Sequence, residues 1–136
     1  MSTTLRENKP QYRNIHVTQI IGYRLPPPGM VSILHRISGA LMFLLLPVAL
    51  WLLQMSLASE TSYLRLSEIA AQWWAKLLFL VLAWSLLHHL VAGIRYLLLD
   101  LHIGIEKAAS VRSALAVFGI SLPLTLLAAL RIFGVI

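Results

Sequence analysis

The chain has 136 residues, 59% of them hydrophobic and only 12% charged, with a mean hydropathy of +0.81. A soluble domain holds about 45–50% apolar and about 25% charged residues, so a soluble globular domain, a disordered chain and a coiled coil are all excluded. There is no cysteine, which removes disulfide scaffolds, thiolate metal sites and cysteine nucleophiles, and leaves only His or carboxylate to bind a metal. The net charge of +6 is spread along the flanks of apolar runs, the pattern of membrane topology rather than of nucleic-acid binding.

The first 36 residues are polar, basic and rich in turn formers. Lys9-Pro10, Arg24 and Pro26-Pro27-Pro28-Gly29 preclude one continuous helix, and the triple proline favours an extended segment that ends just before a helix start. The apolar region comes too late and runs too long for a secretory signal peptide, and the segment is neither long nor Ser/Arg-rich enough for a mitochondrial transit peptide.

Three apolar runs follow. Ile37 to Leu57 is 21 residues without an ionisable side chain; Leu77 to Ile94 is 18 residues between Lys76 and Arg95; Ser113 to Leu130 is 18 residues between Arg112 and Arg131. A membrane span needs about 20 apolar residues at a rise of about 1.5 Å each, so all three qualify once their basic flanks snorkel. Trp73, Trp74 and Tyr96 stand where an aromatic belt would lie for the second span. Pro47 and Pro123 are expected to kink the first and third spans. The fold class is therefore an all-α membrane protein, three transmembrane helices plus an N-terminal cytoplasmic segment. The divisions are 1–31 for that segment, 32–57, 73–99 and 113–133 for the spans, 58–72 for an external loop and 100–112 for a cytoplasmic loop. Arg65 and Glu68 read as a short polar connection. The N-terminal segment and the loop after the second span hold eight of the 11 Lys and Arg, which places the N-terminus in the cytoplasm and the C-terminus outside.

Ionisable residues inside a membrane are costly, so each is a functional candidate. His88 and His89 stand out. At about 100° per residue, His89 shares a face with Ser85, Gly93, Tyr96 and Asp100, whereas His88 shares one with Trp84 and Arg95. Gly93, one turn from His89, removes a side chain and leaves room for a flat macrocycle. Neutral imidazole is a common axial ligand to haem iron, which favours His89 over His88 for that role. Spacing alone leaves open a second reading, in which both rings hydrogen-bond neighbouring helices. His89 lies about 9 Å along the axis from Arg95 and about 20 Å from Lys76, toward the cytoplasmic side.

The second constellation is Ser32-Ile33-Leu34-His35-Arg36-Ile37-Ser38-Gly39, at the cytoplasmic mouth of the first span. Ser32 and Arg36, four apart, share one face and suit a carbonyl oxygen; His35 suits an anionic group such as a haem propionate. The plainer reading makes Ser32 a helix cap and Arg36 a lipid-phosphate anchor. Asp100 reads either as an interfacial charge or as part of a proton path. No glycine-rich phosphate loop, HExxH or Ser/His/Asp arrangement is present, so hydrolysis and phosphoryl transfer have no support.

Together these residues resemble a known family. Ser32-Ile-Leu-His-Arg-Ile-Ser-Gly39 is similar to the SxxHRxSG signature of the cytochrome b membrane-anchor subunit of bacterial succinate dehydrogenase, the succinate:quinone oxidoreductase of respiratory complex II. His89-Leu-Val-Ala-Gly93-Ile-Arg95 with Asp100 is similar to that family's HxxxGIRxxxxD signature, and Lys9-Pro10 and the Arg24-Leu-Pro stretch also match. The resemblance covers nearly the whole chain.

The resemblance implies that His89 is an axial ligand of haem b, with the second ligand from a partner membrane subunit. It implies that Ser32 and Arg36 contact quinone and that His35 lies near the haem propionates. It further implies a flavoprotein subunit with FAD and an iron–sulfur subunit on the cytoplasmic face, electron transfer from succinate to ubiquinone in the tricarboxylic acid cycle and respiratory chain, and a bacterial inner membrane location; this chain alone would not catalyse. An anchor of a fumarate reductase working with menaquinol, and a haem-free helical scaffold, are the alternatives. Two positions depart from the pattern: Tyr96 stands where many members carry His, and His102 where many carry Gly. Tyr96 keeps a donor and an acceptor but is not cationic near neutral pH.

Overall fold

The computed structural model describes residues 22–136, which form four helices: α1 (Pro27–Ala58), α2 (Glu60–Ala70), α3 (Trp73–Asp100) and α4 (Lys107–Ile132). Most of the 1–31 segment, with Lys9-Pro10, lies outside the described residues.

The prolines divide their work at the start of α1. Pro26 is extended, and its carbonyl accepts from the amides of Gly29 and Met30 at 2.9 and 3.1 Å. Pro27 and Pro28 already belong to the first turn. Proline suits that place because its missing N–H would have no intrahelical partner there and its φ is preset for the helix. The helix thus begins before residue 32. Ser32 is an interior position, not a cap.

The connection after α1, which the sequence reads as a loop over 58–72, carries a helix of 11 residues. Ser59 and Ser62 form a reciprocal capping box: each hydroxyl accepts from the other's backbone amide at 3.1 Å. Glu60 in the first turn complements the helix dipole. The Ser62 hydroxyl donates to the Met55 carbonyl at 2.8 Å and ties α2 to the end of α1. Arg65 and Glu68 lie on this helix.

α1, α3 and α4 are each long and apolar enough to cross a membrane. Their 32, 28 and 26 residues give about 48, 42 and 39 Å of helix against about 30 Å of hydrocarbon, so every span overhangs at its ends. Pro47 and Pro123 lie inside unbroken helices. The apolar surface points outward: Phe43, Leu44 and Leu97 are 65–76% exposed. What is buried is small or polar. Ala92, Ala114 and Val117, with Val31 from α1, form the core where α3 crosses α4. Small residues let helix backbones approach closely where lipid supplies no hydrophobic drive for association.

Both α3 and α4 end in a Schellman motif. After α4, the amides of Gly134 and Val135 reach the carbonyls of Arg131 and Leu130, with Gly134 at φ +73°. After α3, the amides of His102 and Ile103 reach those of Leu99 and Leu98, both at 2.9 Å. The residue held in the left-handed region there is His102, at φ +61°. Glycine usually fills that position because it has no Cβ to clash.

Candidate functional site

The two neighbouring histidines of α3 go to different helices. His88 is fully buried and turns to α4, with Nδ1 3.4 Å from the Ser121 hydroxyl and its ring between Trp84 and Phe118. His89 turns to α1. The faces expected from helical spacing are those observed.

His89 is fixed by the main chain of α1. Its Nδ1 lies 3.0 Å from the His35 carbonyl and 3.3 Å from the Ser38 hydroxyl, while that hydroxyl donates to the same carbonyl at 2.9 Å. A carbonyl oxygen can only accept, so Nδ1 carries the proton. Nε2 is then the nitrogen with the free lone pair, and no described residue hydrogen-bonds it. A metal-ligating histidine is normally oriented in this way, with one ring nitrogen donating to a carbonyl or carboxylate and the other left for the ion.

The ring also needs space, and Gly39 supplies it. A Cβ built at Gly39 would stand 2.8 Å from His89 Cε1, closer than real Cβ contacts. The glycine that makes room for the imidazole therefore belongs to α1. Gly93 has another neighbour: a Cβ there would meet His35 Nε2 at an ordinary 3.6 Å. His35 lies across the space that Gly93 leaves, stacked on His89 with centroids 4.0 Å apart and planes within 13°. Tyr96 tilts against the far side of His35 at 5.1 Å.

Two polar atoms here are buried without a partner, His35 Nε2 and the Tyr96 hydroxyl. An unpaired buried donor costs about 1–3 kcal/mol. These two atoms and the free Nε2 of His89 are the polar groups here whose chemistry fits a flat metal macrocycle with anionic arms. No group of three or more metal-ligating side chains occurs among the described residues.

Ser32 and Arg36 come together on α1. Arg36 Nη2 donates to the Ser32 hydroxyl at 2.9 Å, which leaves the hydroxyl proton free to donate elsewhere. Ser32 is half-buried and Arg36 exposed. Asp100 is exposed at the end of α3 and makes no hydrogen bond among the described residues through its side chain. Sequence reasoning missed two contributors, Ser38 and Gly39. Both fall in the quoted SxxHRxSG stretch, three and four residues after His35, and so lie on the His35 side of α1.

Residues 6–128 match the family described as the succinate dehydrogenase/fumarate reductase transmembrane subunit. Two similar proteins are named succinate dehydrogenase cytochrome b556 subunit. One, from Coxiella burnetii (strain RSA 493 / Nine Mile phase I), is 39% identical over 80 residues, 58% of this chain and 64% of that protein. The other, from Paracoccus denitrificans, is 26% identical over 133 residues, 98% of each chain.

Proposed function

The chain belongs to the succinate dehydrogenase/fumarate reductase transmembrane subunits, and from that premise we propose that it is the haem b-binding membrane anchor of a succinate dehydrogenase. In this reading it shares its haem with a second membrane subunit and delivers electrons from succinate to ubiquinone at the cytoplasmic face of a bacterial inner membrane. The observation that carries the proposal is the bond from His89 Nδ1 to the His35 carbonyl, which leaves Nε2 as a ligand. When bound, the haem supplies a one-electron acceptor beside the quinone. A partner membrane subunit would supply the other haem ligand, and the flavoprotein and iron–sulfur subunits would bring FAD and the iron–sulfur clusters. The N-terminus lies in the cytoplasm and the C-terminus outside, in accord with the distribution of Lys and Arg.

The chain's own residues have separable tasks. His35 and Tyr96, with their unpaired Nε2 and hydroxyl, hold the propionates. Quinone reduction builds negative charge on a carbonyl oxygen, which needs donors fixed in advance where water is scarce. Arg36 offers a planar, forked cationic donor, and the hydroxyl it orients on Ser32 is the second donor. The names of both relatives favour succinate dehydrogenase over a fumarate reductase working with menaquinol.

The test is purification of the complex from its own membrane. A flavoprotein and an iron–sulfur subunit should co-purify, and the reduced-minus-oxidised spectrum should show the bands of a six-coordinate b haem. Absence of those bands from an intact complex refutes the haem assignment. Arg36→Leu should lower quinone reductase turnover about 100-fold while succinate oxidation by a soluble artificial acceptor persists. Unchanged quinone reductase turnover would remove Arg36 from the quinone site, and equal loss of both activities would report failed assembly.

A further inference from the structure

We infer that the groove between α3 and α4, beside Arg95, is a binding site for an anionic phospholipid. Arg95 is the one Lys or Arg side chain buried among the described residues, at 6% exposure. Its Nε donates to the Ser113 hydroxyl at 3.0 Å; its Nη2 donates to the Ser110 hydroxyl at 3.0 Å and to the Ser110 carbonyl at 3.2 Å. All of these acceptors are neutral. Nη1 makes no hydrogen bond among the described residues, and no described carboxylate pairs with the guanidinium. A buried cation in low dielectric needs a counter-charge, because neutral oxygens satisfy its donors without cancelling its field.

The charge does not belong to the histidine site. Arg95 lies behind Tyr96, with its guanidinium 5.4 Å from that ring, and Tyr96 itself lies against His35. Arg95 is held instead by α4 and lines an apolar groove of about 270 Å³. Ile94, Leu98 and Ile120, all half exposed, form its rims, and Val117 is part of its floor.

Height selects the occupant. α3 is about 42 Å long and overhangs the hydrocarbon by roughly 6 Å at each end. Arg95 is five residues, about 7.5 Å, from the last residue of α3. The guanidinium therefore stands at the boundary between acyl chains and headgroups, and the groove runs one turn deeper, to Val91 and Ile120. A phosphodiester at that height meets a fork with one arm free, and an acyl chain below it meets apolar walls. Net negative charge matters, since a zwitterionic lipid brings its own cation.

The test uses the whole complex, delipidated in mild detergent and titrated with phosphatidylglycerol, with phosphatidylcholine of the same acyl chains, or with inorganic phosphate, while native mass spectrometry counts bound ligand. One phosphatidylglycerol should bind about tenfold tighter than phosphatidylcholine, and inorganic phosphate should not compete. Arg95→Gln should erase the preference. Ala116→Trp, which fills the groove from an exposed position and leaves Arg95 in place, should block both lipids, so a folding defect at Arg95 does not decide the matter. Unchanged preference in both variants overturns the proposal, as does competition by free phosphate. The chain has no cysteine, so Ile94→Cys gives a single thiol. Its cross-linking to a partner subunit would show a protein helix in the groove and would likewise overturn the proposal.

Discussion

α3 is one helix with two unlike sides. Toward α4 it is closed: Ala92, Ala114 and Val117 pack at 0–2% exposure, His88 is enclosed by Trp84 and Phe118, and Arg95 is held by Ser110 and Ser113. Toward α1 it is spaced apart. Gly39 keeps clear of His89, His35 lies flat in the gap beside Gly93, and His35 Nε2 and the Tyr96 hydroxyl have no partner, as His88 Nε2 has none on the α4 side. The first seam holds the bundle together. The second carries the side chains that the proposed function assigns to the haem. Adjacent residues, His88 and His89, fall on opposite sides because 100° of helical rotation separates them.

The largest effect expected from this contrast is spectroscopic. His89→Ala should abolish the b-haem bands of the purified complex, and His88→Leu should keep them; the opposite pattern would exchange the roles of the two seams. Gly39→Ala comes next. Its Cβ would press on His89, and such overpacking costs about 1–3 kcal/mol. It should lower haem occupancy and the thermal midpoint together, whereas Gly93→Ala, whose Cβ has ordinary clearance, should shift occupancy much less. An equal response at the two glycines would mean that His89 does not depend on the α1 cradle. Ser38→Ala removes one hydroxyl from the His35 carbonyl and is expected to cost about 1 kcal/mol. Haem should remain bound with a shifted midpoint potential, measured by redox titration; an unchanged potential would make Ser38 a packing residue only. Smallest of all, His102→Gly relieves a left-handed non-glycine residue at a Schellman cap. It should raise the thermal midpoint by the equivalent of at most about 1 kcal/mol, since glycine also loosens the unfolded chain. A fall in the midpoint would mean that the exposed His102 side chain makes a stabilising contact in the complex.

The three spans were legible because apolar length and flanking charge are local properties. Pairing of SxxHRxSG with HxxxGIRxxxxD made the family legible as well. α2 was not: its capping box uses Ser62 where Glu or Gln is the usual signal, and its 11 residues are polar enough to resemble a connection. The division of His88 from His89 followed from helical rotation. The partner of His89 did not, because the space around a ring is made by another helix. Gly93 was read as the gap for a flat macrocycle when α3 was considered alone; beside α1, His35 lies across that gap, and the clearance for the His89 ring comes from Gly39. Arg95 was read as the flank of a span, on the His88 face and within the HxxxGIRxxxxD signature, but not as buried; its burial depends on Ser110 and Ser113, beyond a turn that sequence spacing does not orient.

The anchor of His89 is a peptide oxygen, not a side chain. No substitution at position 35 deletes it, so a change there would alter the proposed grip on the propionates while the tilt of the His89 ring persists. The same oxygen carries no formal charge and pushes less electron density into the imidazole than a carboxylate would. If His89 holds the proposed haem, its iron would be easier to reduce, a bias inherited from backbone geometry and shielded from mutation.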